Sequence, residues 1–85
     1  MYKILLGSPS QRFLKKCETA IYTRIIDRLD KLAIDPFPAD VKRVVSRHDK
    51  IFRVRVGDYR IQYAVFYDKN EILITDIDKR PRAYN

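Results

Sequence analysis

The spacing of hydrophobic positions changes about halfway along the 85-residue chain. Residues 2–6 form a short apolar run typical of a β-strand. Further on, apolar residues recur at steps of three and four, which is the pattern of an amphipathic helical face. The members of this face are Leu14, Cys17, Ile21, Ile25, Leu29 and Leu32. Because the stretch is long for a small domain, we expect either one long helix or two helices with a break near residues 17–19.

Both ends of the helical stretch carry boundary signals. Ser8 is a candidate N-cap, Pro9 suits the first helical position, and Gln11 follows Ser8 at the spacing of a capping box. At the other end, Asp35 precedes Pro36, and proline disfavours helix at the residue before it. The helical part is therefore expected to end there.

Beyond residue 40 the pattern is that of β-strands. The predicted strands are Val41–Ser46, Ile51–Val56, Tyr59–Tyr67 and Glu71–Ile77. Only Gly57 and Asp58 separate the second and third of these, and a two-residue Gly-Asp link is typical of a hairpin. The sequence therefore predicts a single α+β domain over residues 1–85, with an N-terminal strand, the helices, and then antiparallel strands that form a sheet with the helices on one face.

The hairpin turn predicts which side chains share a face of the sheet. Side chains alternate along a strand, so Arg55 faces Arg60 and Arg53 faces Gln62 on one side. The opposite, core-facing set is Phe52, Val54, Val56, Tyr59, Ile61 and Tyr63. Like charges directly opposite each other destabilise a sheet, and a phosphate between the arginines would relieve the repulsion. The alternative is that the pair splays into solvent or is neutralised by acidic neighbours.

The net charge of +7 is unevenly distributed. Residues 1–41 carry a net +2 and residues 42–85 a net +5. This bias points to a polyanionic partner, but a net charge alone fits a contribution to solubility equally well, so the placement of the charges has to decide. The segment Lys79-Arg80-Pro81-Arg82-Ala83-Tyr84 adds to this excess and could approach the hairpin after the last strand. We therefore expect binding to a nucleic-acid backbone, with RNA favoured.

Other chemistries have little support in the sequence. Cys17 is the only cysteine, which excludes an intramolecular disulfide and a cysteine-based metal site. Asp76 and Asp78 could hold magnesium, but solvated strand-end carboxylates are commoner, so we expect no metal and no cofactor. The chain has neither a long apolar run nor a secretory signal, so we expect a cytoplasmic protein that does not enter a membrane.

RNA cleavage needs no metal when the 2′-hydroxyl attacks the adjacent phosphate. The protein must then hold the geometry, neutralise the developing charge and move two protons. Arginines provide the first two functions but are poor bases. Tyr84, His48 or a lysine would have to move the protons, although His48 in its polar loop is more simply a solvated residue.

Residues 52–63, FRVRVGDYRIQY, resemble the signature hairpin of the RelE/ParE toxin superfamily. Residues 13–16 and 25–29 are similar to its helical half, and residues 79–84 are similar to the terminal basic-then-tyrosine motif of the RelE branch. The resemblance covers nearly the whole chain. On these motifs the chain is identified as a member of the RelE branch, and it most resembles the archaeal RelE proteins.

This resemblance implies a RelE-like fold and a toxin that cuts mRNA in the ribosomal A site until a RelB-like antitoxin silences it in a hetero-oligomer. Carried over by motif position, Arg60 and Arg80 contact the scissile phosphate, and Tyr84 orients or activates the 2′-hydroxyl. The remaining RNA-binding residues are then Arg53, Arg55, Gln62 and Arg82.

Two departures from the family pattern bear on these expectations. Arginines stand at positions 53 and 55, where bacterial relatives often carry lysines, so a lysine base is not expected there. The sequence stops at Asn85, and without the C-terminal helix of some relatives a more open sheet edge is expected. The alternatives are a ParE-like toxin that poisons gyrase without nuclease activity, and a non-catalytic RNA-binding module. Arg80 and Tyr84 favour the RelE branch.

Overall fold

The computed structural model describes residues 1–44 and 50–79. The elements, in chain order, are β1 Lys3–Leu6, α1 Ser8–Lys16, α2 Thr19–Ile34, β2 Lys42–Val44, β3 Ile51–Val56, β4 Tyr59–Phe66 and β5 Glu71–Lys79. This order confirms the predicted α+β class, with two helices instead of one long helix. Neither helix combines the length and the apolar character needed to cross a membrane, as far as the described residues go.

The break between the helices lies at Cys17 and Glu18, where the backbone is extended. The Cys17 N–H still donates to the carbonyl of Phe13 at 3.0 Å, so α1 closes its last turn before the chain changes direction. α2 ends at Ile34, directly before the Asp-Pro pair that predicted its end.

The start of α1 differs from the prediction. Gly7 is the N-cap, Ser8 is the first helical residue, and no side chain caps the helix. The prediction of Ser8 as the cap was wrong because the Gly7 N–H donates to the Ile74 carbonyl of β5 at 2.9 Å, so the chain turns into the helix directly from the sheet. Gln11 reaches back instead, and its side-chain amide donates to the Leu6 carbonyl at 2.8 Å.

The five strands form one sheet in the order β1-β5-β4-β3-β2. β1 runs parallel to β5, whereas the other neighbours are antiparallel. Both helices pack on one face of this sheet. The core between the two layers consists of Leu14, Ile25, Leu29, Leu32, Val54, Val56, Ile61, Tyr63, Ile72, Ile74 and Ile77. The buried Ser10 hydroxyl joins α1 to this sheet by donating to the Ile74 carbonyl at 3.0 Å.

A β-bulge interrupts the pairing of β4 with β5. Gln62 pairs with Asp76 but Tyr63 pairs with Ile74, so Thr75 is an extra residue on β5. Its hydroxyl donates to the Gln62 carbonyl at 3.2 Å. The bulge changes the alternation of β5, so that Ile74 and Ile77 both face the helices while Asp76 faces the other side.

Candidate nucleic-acid interface

The face of the sheet away from the helices carries the polar residues of the hairpin. Gly57, with φ of +58°, forms the turn with Asp58, and the register pairs Arg55 with Arg60 and Arg53 with Gln62. The predicted hairpin register is therefore confirmed. The predicted core-facing set is confirmed too, since Val54, Val56, Ile61 and Tyr63 are buried and Phe52 and Tyr59 pack against them. We call the opposite side of the sheet the open face.

Two polar rows cross the open face near the turn. The first row runs Asp78, Arg60, Arg55 over the strands β5, β4 and β3. The second runs Asp76, Gln62, Arg53, Lys42 and reaches β2. Four cations therefore share this area with two carboxylates, which leaves it net positive.

The position of Asp78 alters the interpretation of the arginine pair. Arg60 has a like charge on one side, from Arg55, and an opposite charge on the other, from Asp78. The acidic neighbours considered as an alternative are thus present. Asp78 does not neutralise Arg60 by direct contact, because the two side chains form no ion pair within 4.0 Å.

The Arg60 guanidinium carries a hydrogen-bond donor that no described residue satisfies. Its Nε atom is buried and has no hydrogen-bond partner among residues 1–44 and 50–79. Leaving a buried donor unsatisfied costs about 1–3 kcal/mol, so such a group calls for an explanation. In general, a guanidinium donates from Nε and from one terminal nitrogen to two oxygens of the same phosphate or carboxylate, which is the bidentate arrangement that arginine favours.

The hairpin is held rigidly from the helix side. The Tyr63 side chain has no exposed surface, and its hydroxyl donates to the Pro36 carbonyl at 2.6 Å. Burial raises the pKa of Tyr63 far above its ordinary value. The ring of Phe52 lies between those of Tyr63 and Phe37, at centroid distances of 5.9 and 5.0 Å. These contacts fix β3 and β4 to the segment that follows α2.

An ion pair fixes the same segment at its far end. Arg28 on α2 donates to both carboxylate oxygens of Asp40 at 2.7 Å, and this hydrogen bond lowers the pKa of Asp40. Asp40 and Lys42 also line a small cleft of about 160 Å³ with Arg53 and Arg55. The ion pair thus positions the start of β2 beside the basic residues of β3.

Two further basic residues near the hairpin were missed by the sequence reasoning. Lys42 extends the second polar row, and the Arg24 guanidinium lies against the turn, so that a β-carbon on Gly57 would stand 2.8 Å from its Nη2. Lys42 could have been found by pairing the predicted strand Val41–Ser46 with the strand that follows it in the sequence. No local pattern connects Arg24 with a turn more than thirty residues later.

The predicted residues Arg80, Arg82 and Tyr84 lie outside the described residues, as does His48. Their roles stay predictions. β5 continues two residues beyond its predicted end, to Lys79, which pairs with Tyr59 beside the turn. In the part of the chain that the structure describes, no group of three or more His, Cys, Asp or Glu side chains could hold a metal ion.

Comparison with known proteins identifies the family. The family model described as the ParE toxin of type II toxin–antitoxin systems matches residues 8–84. The chain belongs to this toxin family. RelE1 of Methanocaldococcus jannaschii, which is named as a toxin, is 37% identical over 59 residues, covering 66% of this chain and 64% of that protein. The chain therefore matches less than two thirds of that relative's length.

Solved structures of RelE toxins share the fold of this family member. The RelE–RelB complex from Pyrococcus horikoshii OT3 contains a chain that matches with a TM-score of 0.82 at 28% identity, over 95% of this chain and 97% of that one. The isolated RelE toxin of E. coli matches with a TM-score of 0.84 at 15% identity, over 99% and 89%. The predicted RelE-like fold and the predicted membership of the RelE/ParE superfamily are both confirmed.

Proposed function

We propose that this toxin is a ribosome-dependent endoribonuclease that cleaves mRNA in the ribosomal A site without a metal. The observation that supports it most is the position of Arg60 on the open face, with a buried, unpartnered Nε donor and Arg55 directly beside it. A phosphate is the group in RNA that two adjacent guanidinium groups bind best.

In the proposed reaction, the 2′-oxygen attacks the adjacent phosphorus while the bond to the 5′-oxygen of the next nucleotide breaks. The products are a 2′,3′-cyclic phosphate and a free 5′-hydroxyl. The 2′-hydroxyl gives up its proton to a base, and the leaving oxygen takes one from an acid. Arg60 and Arg80 bind the phosphate oxygens and stabilise their growing negative charge. Tyr84 orients or activates the 2′-hydroxyl.

The remaining residues of the site bind the RNA chain. Arg53, Arg55 and Arg82 contact flanking phosphates, and Gln62 contributes hydrogen bonds beside them. The described part of the open face carries arginines, a glutamine, a lysine and aspartates, which do not form a strong acid–base pair near pH 7. Dependence on the ribosome follows, because a ribosome holds the mRNA in a fixed conformation and thereby supplies the alignment that the reaction requires.

The proposed partner is a RelB-like antitoxin, which forms a hetero-oligomer with the toxin in the cytoplasm. Two observations support it: the family belongs to type II toxin–antitoxin systems, and the Pyrococcus horikoshii relative was solved as a RelE–RelB complex. The open face has an excess of positive charge, so an acidic antitoxin segment would compete there with RNA.

The test is to add purified toxin to translating ribosomes and map mRNA 5′ ends by primer extension. We expect cuts within A-site codons. Arg60→Ala should reduce the rate about 10²- to 10³-fold, the usual cost of removing one oxyanion donor. Arg43→Ala is the matched control, because Arg43 pairs with the core-facing Phe52 and so leaves the sheet on the helix side. Equal loss in both variants, or no A-site cleavage by the wild type, would contradict the proposal.

The family description itself favours a second candidate. It names a ParE toxin, and the resemblance to that branch implies inhibition of DNA gyrase without nuclease activity. A supercoiling assay with purified gyrase distinguishes the two: inhibition of gyrase with intact A-site codons would favour the ParE-like activity. Ribosome or RNA binding with neither activity would leave only an RNA-binding module.

A further inference from the structure

A second basic area lies on the helix side of the hairpin, away from the open face. An open cleft of about 490 Å³ is bounded by α1, the start of α2 and the start of β4. Its wall includes Arg12, Phe13, Lys16, Glu18 and Tyr59. The volume lies within the ordinary range of small-ligand sites. None of these residues has a role in the proposed cleavage site.

The floor of the cleft is aromatic and partly exposed. Phe13 and Tyr59 meet edge to face, with ring centroids 5.6 Å apart and planes at 67°. Both are half-buried, and the Tyr59 hydroxyl makes no hydrogen bond to any residue of the described ranges. Tyr63, by contrast, is fully buried with its hydroxyl bonded. Partly exposed aromatic rings are the surface on which proteins stack unpaired bases.

The rim of the cleft is positively charged. Arg12 and Lys16 stand four residues apart on α1, so they occupy one side of the helix and repel each other slightly. Both are exposed, and neither forms an ion pair within the described residues. Lys79 pairs with Tyr59 in the sheet, so the two side chains project from the same face. Two cations therefore line the cleft and a third, Lys79, lies on the same side of the sheet beside Tyr59. Cations next to exposed aromatic rings are typical of sites for single-stranded nucleic acid.

Glu18 gives the cleft a hydrogen-bond acceptor as well. An ionised carboxylate only accepts hydrogen bonds, so it disfavours a bare phosphate but suits the N–H edge of a base. Guanine presents two parallel donors, N1–H and the 2-amino group, that match the two carboxylate oxygens. An acidic peptide would use the cations but would be repelled by Glu18 and would make no use of the rings.

We propose that this cleft binds one unstacked nucleotide of single-stranded RNA, with guanine preferred. The base lies against Phe13 and Tyr59 with its N–H edge toward Glu18, and Arg12 and Lys16 hold the flanking phosphates. The inference rests on the proposed function in that it assumes an RNA target, and it adds a second contact on the opposite side of the hairpin. That RNA is either the mRNA beyond the cut or a ribosomal RNA strand.

The test uses the isotope-labelled, full-length toxin and 2′-O-methyl pentanucleotides, which cannot be cleaved. We expect UUGUU to shift the backbone amide resonances of residues 12–18 and 59, and UUUUU to bind there about tenfold more weakly. Lys16→Ala should weaken binding at the cleft and lower its salt dependence by about one phosphate contact, roughly 0.7 in the log–log slope. Lys15→Ala is the matched control, because Lys15 is also exposed on α1 but does not line this cleft.

Three results would overturn the inference: resonance shifts confined to the open face, equal effects of Lys15→Ala and Lys16→Ala, or displacement of the RNA by a short polyglutamate peptide at equal concentration. Arg60→Ala should leave the cleft titration unchanged. Cleft binding without A-site cleavage would refute the proposed function alone, whereas A-site cleavage without cleft binding would refute only this inference. Competition of UUGUU by defined mRNA and ribosomal RNA fragments then identifies the source.

Discussion

The Tyr63 hydroxyl offers a sharp test of how the hairpin is held. The change Tyr63→Phe removes one oxygen atom and leaves the ring in place, so the packing against Phe52 is preserved. What is lost is the 2.6 Å hydrogen bond to the Pro36 carbonyl. Pro36 is itself buried, so its carbonyl would be left without this donor.

The expected magnitude follows from that geometry. A net hydrogen bond contributes about 0.5–1.5 kcal/mol, and an unsatisfied buried acceptor costs about 1–3 kcal/mol. We therefore expect the free energy of unfolding to fall by about 1–2 kcal/mol. In a domain of this size that lowers Tm by roughly 5–15 °C, a large fraction of a total stability of about 4–13 kcal/mol.

The assay is thermal and urea unfolding followed by circular dichroism, with Tyr67→Phe as control. Tyr67 is 63% exposed, so its variant should stay within about 0.5 kcal/mol of the wild type. Because the pKa of Tyr63 is raised in the folded state, the wild type should lose stability as pH rises above the unfolded value near 10. Tyr63→Phe has no hydroxyl to ionise at this position, so the difference in unfolding free energy between the wild type and the variant should narrow at high pH. A change below about 0.5 kcal/mol at pH 7 would refute the hydrogen bond as an anchor.

The other predictions concern a turn, an ion pair and a buried hydroxyl. Gly57→Ala should destabilise by at least about 1 kcal/mol because of its positive φ and the nearby Arg24, with Gly57→Asn milder; equal unfolding midpoints would contradict the left-handed turn. The pKa of Asp40 is lowered by Arg28, so its contribution to stability is present above the unfolded pKa and lost as pH falls through the folded one. Asp40→Asn should remove this loss of unfolding free energy at low pH, measured by urea titration at several pH values. If the pH profile of the variant equals that of the wild type, the Asp40–Arg28 pair makes no such contribution. Ser10→Ala should cost about 1 kcal/mol, measured by chemical unfolding, since it removes a buried bond between α1 and β5; no loss would show that the bond is dispensable.

The hairpin was predictable because local chemistry determines it. Gly57 and Asp58 leave room for only a two-residue turn, and that turn sets every pair from Val56 with Tyr59 to Arg53 with Gln62. The possible break between the helices and the helix end at the Asp-Pro pair were likewise predicted from residues close to them in the sequence. Of the predicted strand Val41–Ser46, residues 42–44 form β2, Val41 directly precedes that strand, and residues 45 and 46 lie outside the described residues.

Contacts between distant parts of the chain were not predictable in this way. No turn connects β1 with β5, so nothing nearby in sequence indicates that they pair in parallel. The bulge at Thr75 has a weak signal, because Ile72, Ile74 and Ile77 depart from strict alternation. Because the bulge was not predicted, the position of Asp78 beside Arg60 could not be derived, and acidic neighbours of the arginine pair stayed an unassigned alternative.

The placement of β5 between β1 and β4 also has a consequence for the order of folding during synthesis. β1 leaves the ribosome first, yet its partner Glu71–Lys79 is almost the last part of the described chain to be made. The hairpin of β3 and β4 can form early because its contacts are local, whereas the sheet closes only after β5 inserts. A growing chain therefore keeps β1 without its sheet partner until β5 has been made and has left the ribosome.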